Sequence, residues 1–300
     1  MQIPRILNYG SLNIDHTFRV DHIVLPGQTI SSTALSSSAG GKGANQSAAL
    51  AKAGSVVFHA GKVGKDGLCI IDLLSSYGVD TRFIRVAEHP SGQAIIQLDR
   101  ESQNSIILYP GSNIEITKEE IDETLHFFHA GDYLVLQNEI CHTAYLIEQA
   151  KKKDMRICFN PAPFKNEIFD LPLHELDILI VNELEGKELS RSSQIYSDDH
   201  SFRKLLDKLC TMMPHTQIIL TVGNLGSYYG FQSKRLWQDI YQVSVVDTTA
   251  AGDTFVGYFL SAKIRGLPVE VCMQKAAIAA SIAVSRSGAM VSIPTAEEFW

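Results

Sequence analysis

The chain has 300 residues, 45% of them hydrophobic and 20% charged, with a formal net charge of −7. That composition supplies a globular core and excludes the basic face that nonspecific binding of nucleic acid or an anionic membrane requires. A small anionic ligand remains compatible, because a few local donors can hold a phosphate.

Taken along the chain, the segments alternate between strand and helix patterns. The first ten residues, MQIPRILNYG, read as a strand rather than a signal peptide, and ILNYG (6–10) is a buried-strand pattern. It runs into GSLNID (10–15), where Asn13 and Asp15 stand two apart. On a strand, such residues project to one side and both can reach a polyol from the sheet; they serve equally well as turn formers. HTFRVDHIV (16–24) reads as a β-ribbon. GGKGAN (40–45) brings glycine backbone close to a ligand and adds donors at Lys42 and Asn45, or else simply opens the helix predicted to residue 54. It is not a Walker A loop, and no G-x-G-x-x-G occurs. VVFHAGKVG predicts a strand and GLCIIDLLSSYGV a helix. QAIIQLDRESQNSIILYPG (93–111) reads as a second ribbon with a hairpin around Glu101–Asn104. Thr117 and Glu120 have capping-box spacing and open a helix predicted through Phe128.

Four short apolar runs follow, YLVLQNE, MRICFNPAP, DILIVNE and QIILTVG, with helices predicted over 142–153, 183–190 and 201–213. Runs that are apolar throughout suggest strands covered on both faces. The predicted fold class is α/β: a doubly wound, mostly parallel central sheet with helices on both faces, its ligand chemistry beyond the carboxyl ends of the strands. The strand-end tails put Glu139, Asn182, Glu185 and the segment TVGNLGS (221–227) there. Glu139 can hold hydroxyls, Glu185 can order water around a magnesium ion, and the glycines of TVGNLGS suit backbone passing a nucleotide. Each acid taken alone reads also as a solvated helix start. The two ribbons do not fit a βαβ layer, so one domain (1–300) with a small accessory sheet, from about 16–36 and 92–111, is expected.

The stretch VVDTTAAGDTF (245–255) ends an apolar run, Val243 to Val246, predicted as a strand, with small residues and a second acid before a helix. Backbone N–H groups in a first helical turn lack intrahelical partners, and the helix dipole adds partial positive charge. Small residues let an anion approach them, and Gly252 permits unusual backbone. Asp253 beside that anion can accept a proton. Charge stabilisation with a positioned base is what phosphoryl transfer to an alcohol needs. Alone, Asp253 reads also as a first-turn helix acid and Ala-Ala-Gly as a tight turn.

Other signals are discounted. Cys69, Cys141, Cys158, Cys210 and Cys272 form no CxxC pair, so neither a zinc site nor disulfides are expected. The histidines lack metal spacing, no G-x-S-x-G elbow occurs, and no apolar run reaches membrane-spanning length. A cytoplasmic location is expected.

In this order the residues resemble the PfkB family of carbohydrate kinases, and within it the ribokinase subgroup, from Gly10 to about Pro294, with GGKGAN and DTTAAGDTF as the two long matches. The resemblance implies Asp253 as the base that takes the proton of the sugar's primary hydroxyl, with Ala250, Ala251 and Gly252 as an anion hole. It implies sugar contacts from Asn13, Asp15, Gly41, Lys42, Asn45, Glu139 and Asp253. Contacts to ATP are implied for Asn182, Thr221, Gly223, Gly226 and Gly252, with Glu185 in the Mg2+ region. A monovalent cation, K+, would sit near Asp247, Thr249, Ala283, Arg286, Gly288 and Ser292, several through backbone carbonyls. The ribbons would form a lid, with Ala94 and Ile106 against the sugar's carbon face, and a homodimer would assemble through it. One departure is Ala277, where the subgroup can carry a histidine beside adenine. The implied activity is ATP-dependent phosphorylation of D-ribose to ribose 5-phosphate. Alternatives are a kinase of the same fold for a ketose, deoxyribose or a nucleoside, or a non-catalytic sugar or nucleotide sensor, against which the intact Asp253 argues.

Overall fold

Strands whose sequence lacks polar alternation become the interior of one large sheet. A computed structural model describes residues 4–101 and 103–298. In chain order it contains β1 (Ile6–Tyr9), β2 (Asn13–Arg19), β3 (Ala34–Gly40), α1 (Lys42–Lys52), β4 (Val57–Val63), α2 (Leu68–Ser76), β5 (Asp80–Val86), β6 (Gly92–Leu98) and β7 (Asn104–Tyr109). There follow α3 (Lys118–Leu125), β8 (Tyr133–Gln137), α4 (Thr143–Lys152), β9 (Arg156–Asn160), β10 (Ile178–Asn182), α5 (Glu183–Leu189) and α6 (Asp199–Met212). The last elements are β11 (Gln217–Thr221), β12 (Ser227–Phe231), β13 (Lys234–Gln238), α7 (Ala251–Ile264) and α8 (Val269–Val284).

The nine-stranded sheet has the order β13-β12-β11-β10-β9-β8-β1-β4-β5. From β5 to β11 every pairing is parallel, and only β12 and β13 join antiparallel. The chain first steps from β1 outward through β4 and β5, then returns to the other side of β1 with β8 and steps outward to β11. The switch point therefore lies between β1 and β8, where doubly wound sheets bind ligands. Two apolar clusters cover the two faces. One joins Ala48 and Leu50 of α1, Leu74 of α2, Phe255 and Phe259 of α7 and Met273 of α8. The other joins Ile121 of α3, Leu146 of α4 and Leu205 and Leu209 of α6. The doubly wound α/β architecture agrees with expectation.

A second sheet has the order β3-β2-β6-β7, with β2 antiparallel to β3 and parallel to β6. The second predicted ribbon, 92–111, is present as the antiparallel pair β6 and β7, while the first departs from its predicted bounds of about 16–36. β2 starts at Asn13, and β3 runs to Gly40 through ALSSSAG, too poor in β-branched and aromatic residues to read as a strand. Its cross-strand partner β2 makes it one. The β6–β7 turn closes between Asp99 N and Gln103 O at 3.0 Å; Ser102, like residues 1–3 and 299–300, lies outside the described residues.

Two further expectations are corrected. Helix α3 has its predicted capping box but ends at Leu125 rather than Phe128, because Phe127 and Phe128 bond three residues back, to Thr124 and Leu125. The run Val243 to Val246 is not a strand: the Val246 and Asp247 N–H groups both donate to Val284 O at the end of α8, and Val245 and Val246 are exposed. Among the described residues no helix is long and apolar enough to cross a membrane.

Candidate active site

The carboxyl ends of β9, β10 and β11 open, with the starts of α1, α5 and α7, onto a cleft of about 250 Å3 lined by Lys42, Asn160, Asn182, Glu185, Thr221 and residues 250–253. Ala250 caps α7 in the left-handed region at φ 60°, a strained choice for alanine of the kind found at functional turns. Its carbonyl accepts both the N–H and the hydroxyl of Thr254 at 2.8 Å, which locks the turn. The Ala251 N–H is directed back to Thr248 O at 3.3 Å, and the space over Gly252 is open. Asp253 does not cap its own helix. It is 7% exposed and accepts from α1 instead, Asn45 Nδ2 reaching Oδ2 and Gln46 Nε2 reaching Oδ1, each at 3.0 Å. A buried carboxylate held from another helix is an aimed group rather than a solvated first-turn acid.

The glycine turn before α1 is built by packing. Gly41 sits at φ 94°, and a Cβ there would lie 2.9 Å from Ser11 O. This fit seats α1 on the end of β1 and brings Lys42 and Asn45 to the cleft. Glu139, just past β8, accepts a short hydrogen bond from the Ser11 hydroxyl and another from the Lys42 N–H at 3.2 Å. Asn13 Oδ1 accepts from Asn113 Nδ2 at 2.7 Å, while Asn113 Oδ1 accepts the Leu12 N–H at 3.0 Å. Asp15, in register with Ala94, is pushed up to about 7 by burial and then by the nearby charges of Glu139 and Asp253. Burial likewise raises Glu139, against the opposing pull of Lys42. Burial alone would lower the Lys42 ammonium, but Asp253, Glu139 and Glu185 outweigh it and hold it above its ordinary value. One lysine thus stands among the carboxylates predicted from distant motifs.

At the other end of the cleft, Asn182 and Glu185 form a reciprocal capping box on α5. Glu185 Oε1 and Oε2 accept from Asn182 Nδ2 and N at 3.0 Å each, and Asn182 Oδ1 accepts the Glu185 N–H at 2.8 Å. The Glu185 carboxyl is raised, chiefly by burial. The Thr221 hydroxyl donates to Val181 O at 3.3 Å. Gly223 opens a short 3-10 turn, and at Gly226 a Cβ would meet Gln238 O at 2.3 Å.

Of the predicted cation residues, three are drawn together: Asp247 Oδ1 accepts the Thr249 N–H and Oδ2 the Gly288 N–H, each at 2.9 Å. Burial would raise this carboxyl, but the bonds from Thr249 and Gly288 hold it below the usual range. The Arg286 guanidinium turns away to Glu298, and the Ser292 hydroxyl donates to Ala289 O at 2.8 Å, while Ala283 O accepts the Arg286 N–H at 3.1 Å. Among the described residues no cluster of three His, Cys, Asp or Glu side chains could hold a metal ion. Ala277 is buried in α8.

Sequence reading missed Ser11, Gln46, Asn113 and Gln137. Gln46 carried a signal, a large amide in the small-residue helix ANQSAALA; Asn113, in a loop, carried none.

Fold and site together define a class of protein, a doubly wound α/β enzyme that phosphorylates sugars. Residues 4–296 match the pfkB family carbohydrate kinase, and the chain belongs to that family. It is 31% identical to the ribokinase of Staphylococcus aureus (strain COL), over 98% of both chains. It is 32% identical to the deoxyribokinase of Salmonella typhi, over 97% of this chain and 95% of that one. The solved structure of ribokinase from Cryptococcus neoformans in complex with ADP superposes with a TM-score of 0.91 at 32% identity, covering 99% of this chain and 98% of that one.

Proposed function

We propose that this sugar kinase transfers the terminal phosphoryl group of ATP to the primary hydroxyl of D-ribose, giving ribose 5-phosphate and ADP. The observation that carries the reading is Asp253, a buried carboxylate at the start of α7, gripped by Asn45 and Gln46 and facing the cleft that Lys42 shares. Its role is to take the hydroxyl proton as the oxygen attacks phosphorus. The backbone of Ala250, Ala251 and Gly252 stabilises the charge moving with the phosphoryl group. Asn13, Asp15, Gly41, Lys42, Asn45 and Glu139 hold the sugar; Asn182, Thr221, Gly223 and Gly226 border the nucleotide.

Mg2+, when bound with ATP, neutralises phosphate charge. Both Glu185 oxygens already accept from Asn182, so its fit is to the ion's water shell. The Asp247 carboxylate, likewise engaged by Thr249 and Gly288, orders a turn beside which backbone carbonyls would hold K+. We read the chain as one domain whose four-stranded sheet is a lid over the sugar, in a cytoplasmic homodimer formed through that lid. The Salmonella typhi relative supports a second reading, deoxyribose as acceptor.

The test is coupled ADP release with MgATP across pentoses, hexoses and nucleosides, with and without potassium. Ribose-dependent release raised by potassium is expected, and Asp253→Asn should lower kcat by about a hundredfold or more. Preference for another sugar replaces ribose; silence across the panel overturns the kinase assignment.

A further inference from the structure

Gln46 lies on α1, fully buried, and donates from Nε2 both to Asp253 Oδ1 at 3.0 Å and to Asn160 Oδ1 at 3.1 Å. An amide has donors at one end and an acceptor at the other, so a flipped Gln46 would turn its oxygen on the carboxylate. The direction is set from behind. Gln137 Nε2, on β8, donates to Gln46 Oε1 at 2.7 Å and to Asn8 Oδ1, on β1, at 3.0 Å. Asn8 Nδ2 in turn donates to Gly43 O at 2.7 Å and to the Ser47 hydroxyl at 2.8 Å. Asn8 and Gln137 are as deeply buried as Gln46, and none of the three lines the cleft. Three amides from three elements are therefore oriented in series, and the last presents its N–H to Asp253.

We infer that Gln46, held by Gln137 and Asn8, is a positioning residue for the transfer: it fixes the Asp253 carboxylate in the orientation that receives the sugar proton. Burying three amides is costly, and Gln137 Oε1 is left without a partner so that its Nε2 can serve both Asn8 and Gln46; the donors of the series end on the one carboxylate that the chemistry uses. The inference rests on Asp253 being the base. The charged and titratable groups that act on Asp253 are Lys42 from α1, Asp15 from β2, Glu139 beyond β8 and Glu185 from α5. They supply field, while Asn45 and Gln46 supply direction.

The test uses the full chain with the sugar that gives turnover. In Gln46→Leu, which cannot donate, kcat should fall about a hundredfold, as small misplacements of a reacting group do, with the sugar KM within about threefold of the parent. Gln137→Met keeps the Gln46 donors but frees its amide to rotate, and should give the same changes in smaller measure. It also carries the test if Gln46→Leu does not fold. The inference is overturned if folded variants keep kcat within about twofold, or lose it with KM rising in proportion. Full turnover in Asp253→Asn would instead remove the base assignment, a separate result in a separate variant.

Discussion

Asp15 is ionised in an unfolded chain above its ordinary value of 3.8, yet burial beside Glu139 and Asp253 keeps it protonated up to about 7 in the folded state. Between those values the native state binds the extra proton, so this residue's contribution to stability falls as pH rises through the window. Asp15→Asn abolishes that loss. Its melting temperature should exceed the parent's by a few degrees at pH 8 and coincide with it near pH 4, as differential scanning calorimetry at the two values will read. The same variant should bind sugar more weakly, since Asp15 projects on the face of β2 that carries Asn13. A gain in stability with a weaker sugar KM is the pattern of a functional group kept in a costly place. Equal melting curves at pH 8 would mean that the fold does not raise the Asp15 carboxyl above its ordinary value.

At the scale of elements, the seam between the two sheets is set by side chains that share space with glycines. A Cβ on Gly92, the first residue of β6, would lie 2.1 Å from Asn13 Oδ1 and 2.2 Å from Asn113 Nδ2, and Gly92 is not among the positive-φ residues. Gly92→Ala should therefore fold and displace the Asn13–Asn113 pair. Loss of about one hydrogen bond to substrate predicts a sugar KM raised roughly three- to tenfold with kcat less affected; an unchanged KM would remove Asn13 from the sugar site. This seam also divides what the sequence revealed from what it concealed. Six strands of the large sheet, β1, β4 and β8 to β11, were legible because they are short, nearly continuous apolar runs, and the glycine turn and DTTAAGD because their small residues sit where strand meets helix; β5, β12 and β13, which mix charged and polar residues into DTRFIRV, SYYGF and KRLWQ, were not read. β3 was hidden because ALSSSAG acquires its strand conformation from pairing with β2, a contact that no local pattern reports. Val243 to Val246 misled for the converse reason: its composition is that of a strand, but its N–H groups find the end of α8 and no neighbouring strand. Asn113 and Gln137 meet their partners only after β1, β8 and the second sheet are assembled.

For the molecule as a whole, the four-stranded sheet poses a question of cover. Register puts Asn13, Asp15, Ala94, Ile96, Ile106 and Leu108 on one face, that of the proposed sugar site. The opposite face carries Phe18, Leu35, Ile95, Ile107 and Tyr109, with Ile107 62% and Leu35 58% exposed. Large apolar side chains gathered on one exposed face mark an interaction surface, and the proposed homodimer through the lid would bury them. Sedimentation should then give twice the chain mass at micromolar concentration, and the pair Leu35→Lys and Ile107→Lys should return it to the chain mass, because two buried charges have no partner across the interface. If the lid needs its neighbour for rigidity, the monomeric variant will raise the sugar KM several-fold while leaving ATP KM near the parent's. The nucleotide end, around Asn182 and Thr221, is built on the large sheet and does not depend on that contact. A parent chain that sediments as a monomer throughout would overturn the lid dimer, and an equal rise in both KM values would show that the two sheets respond as one body.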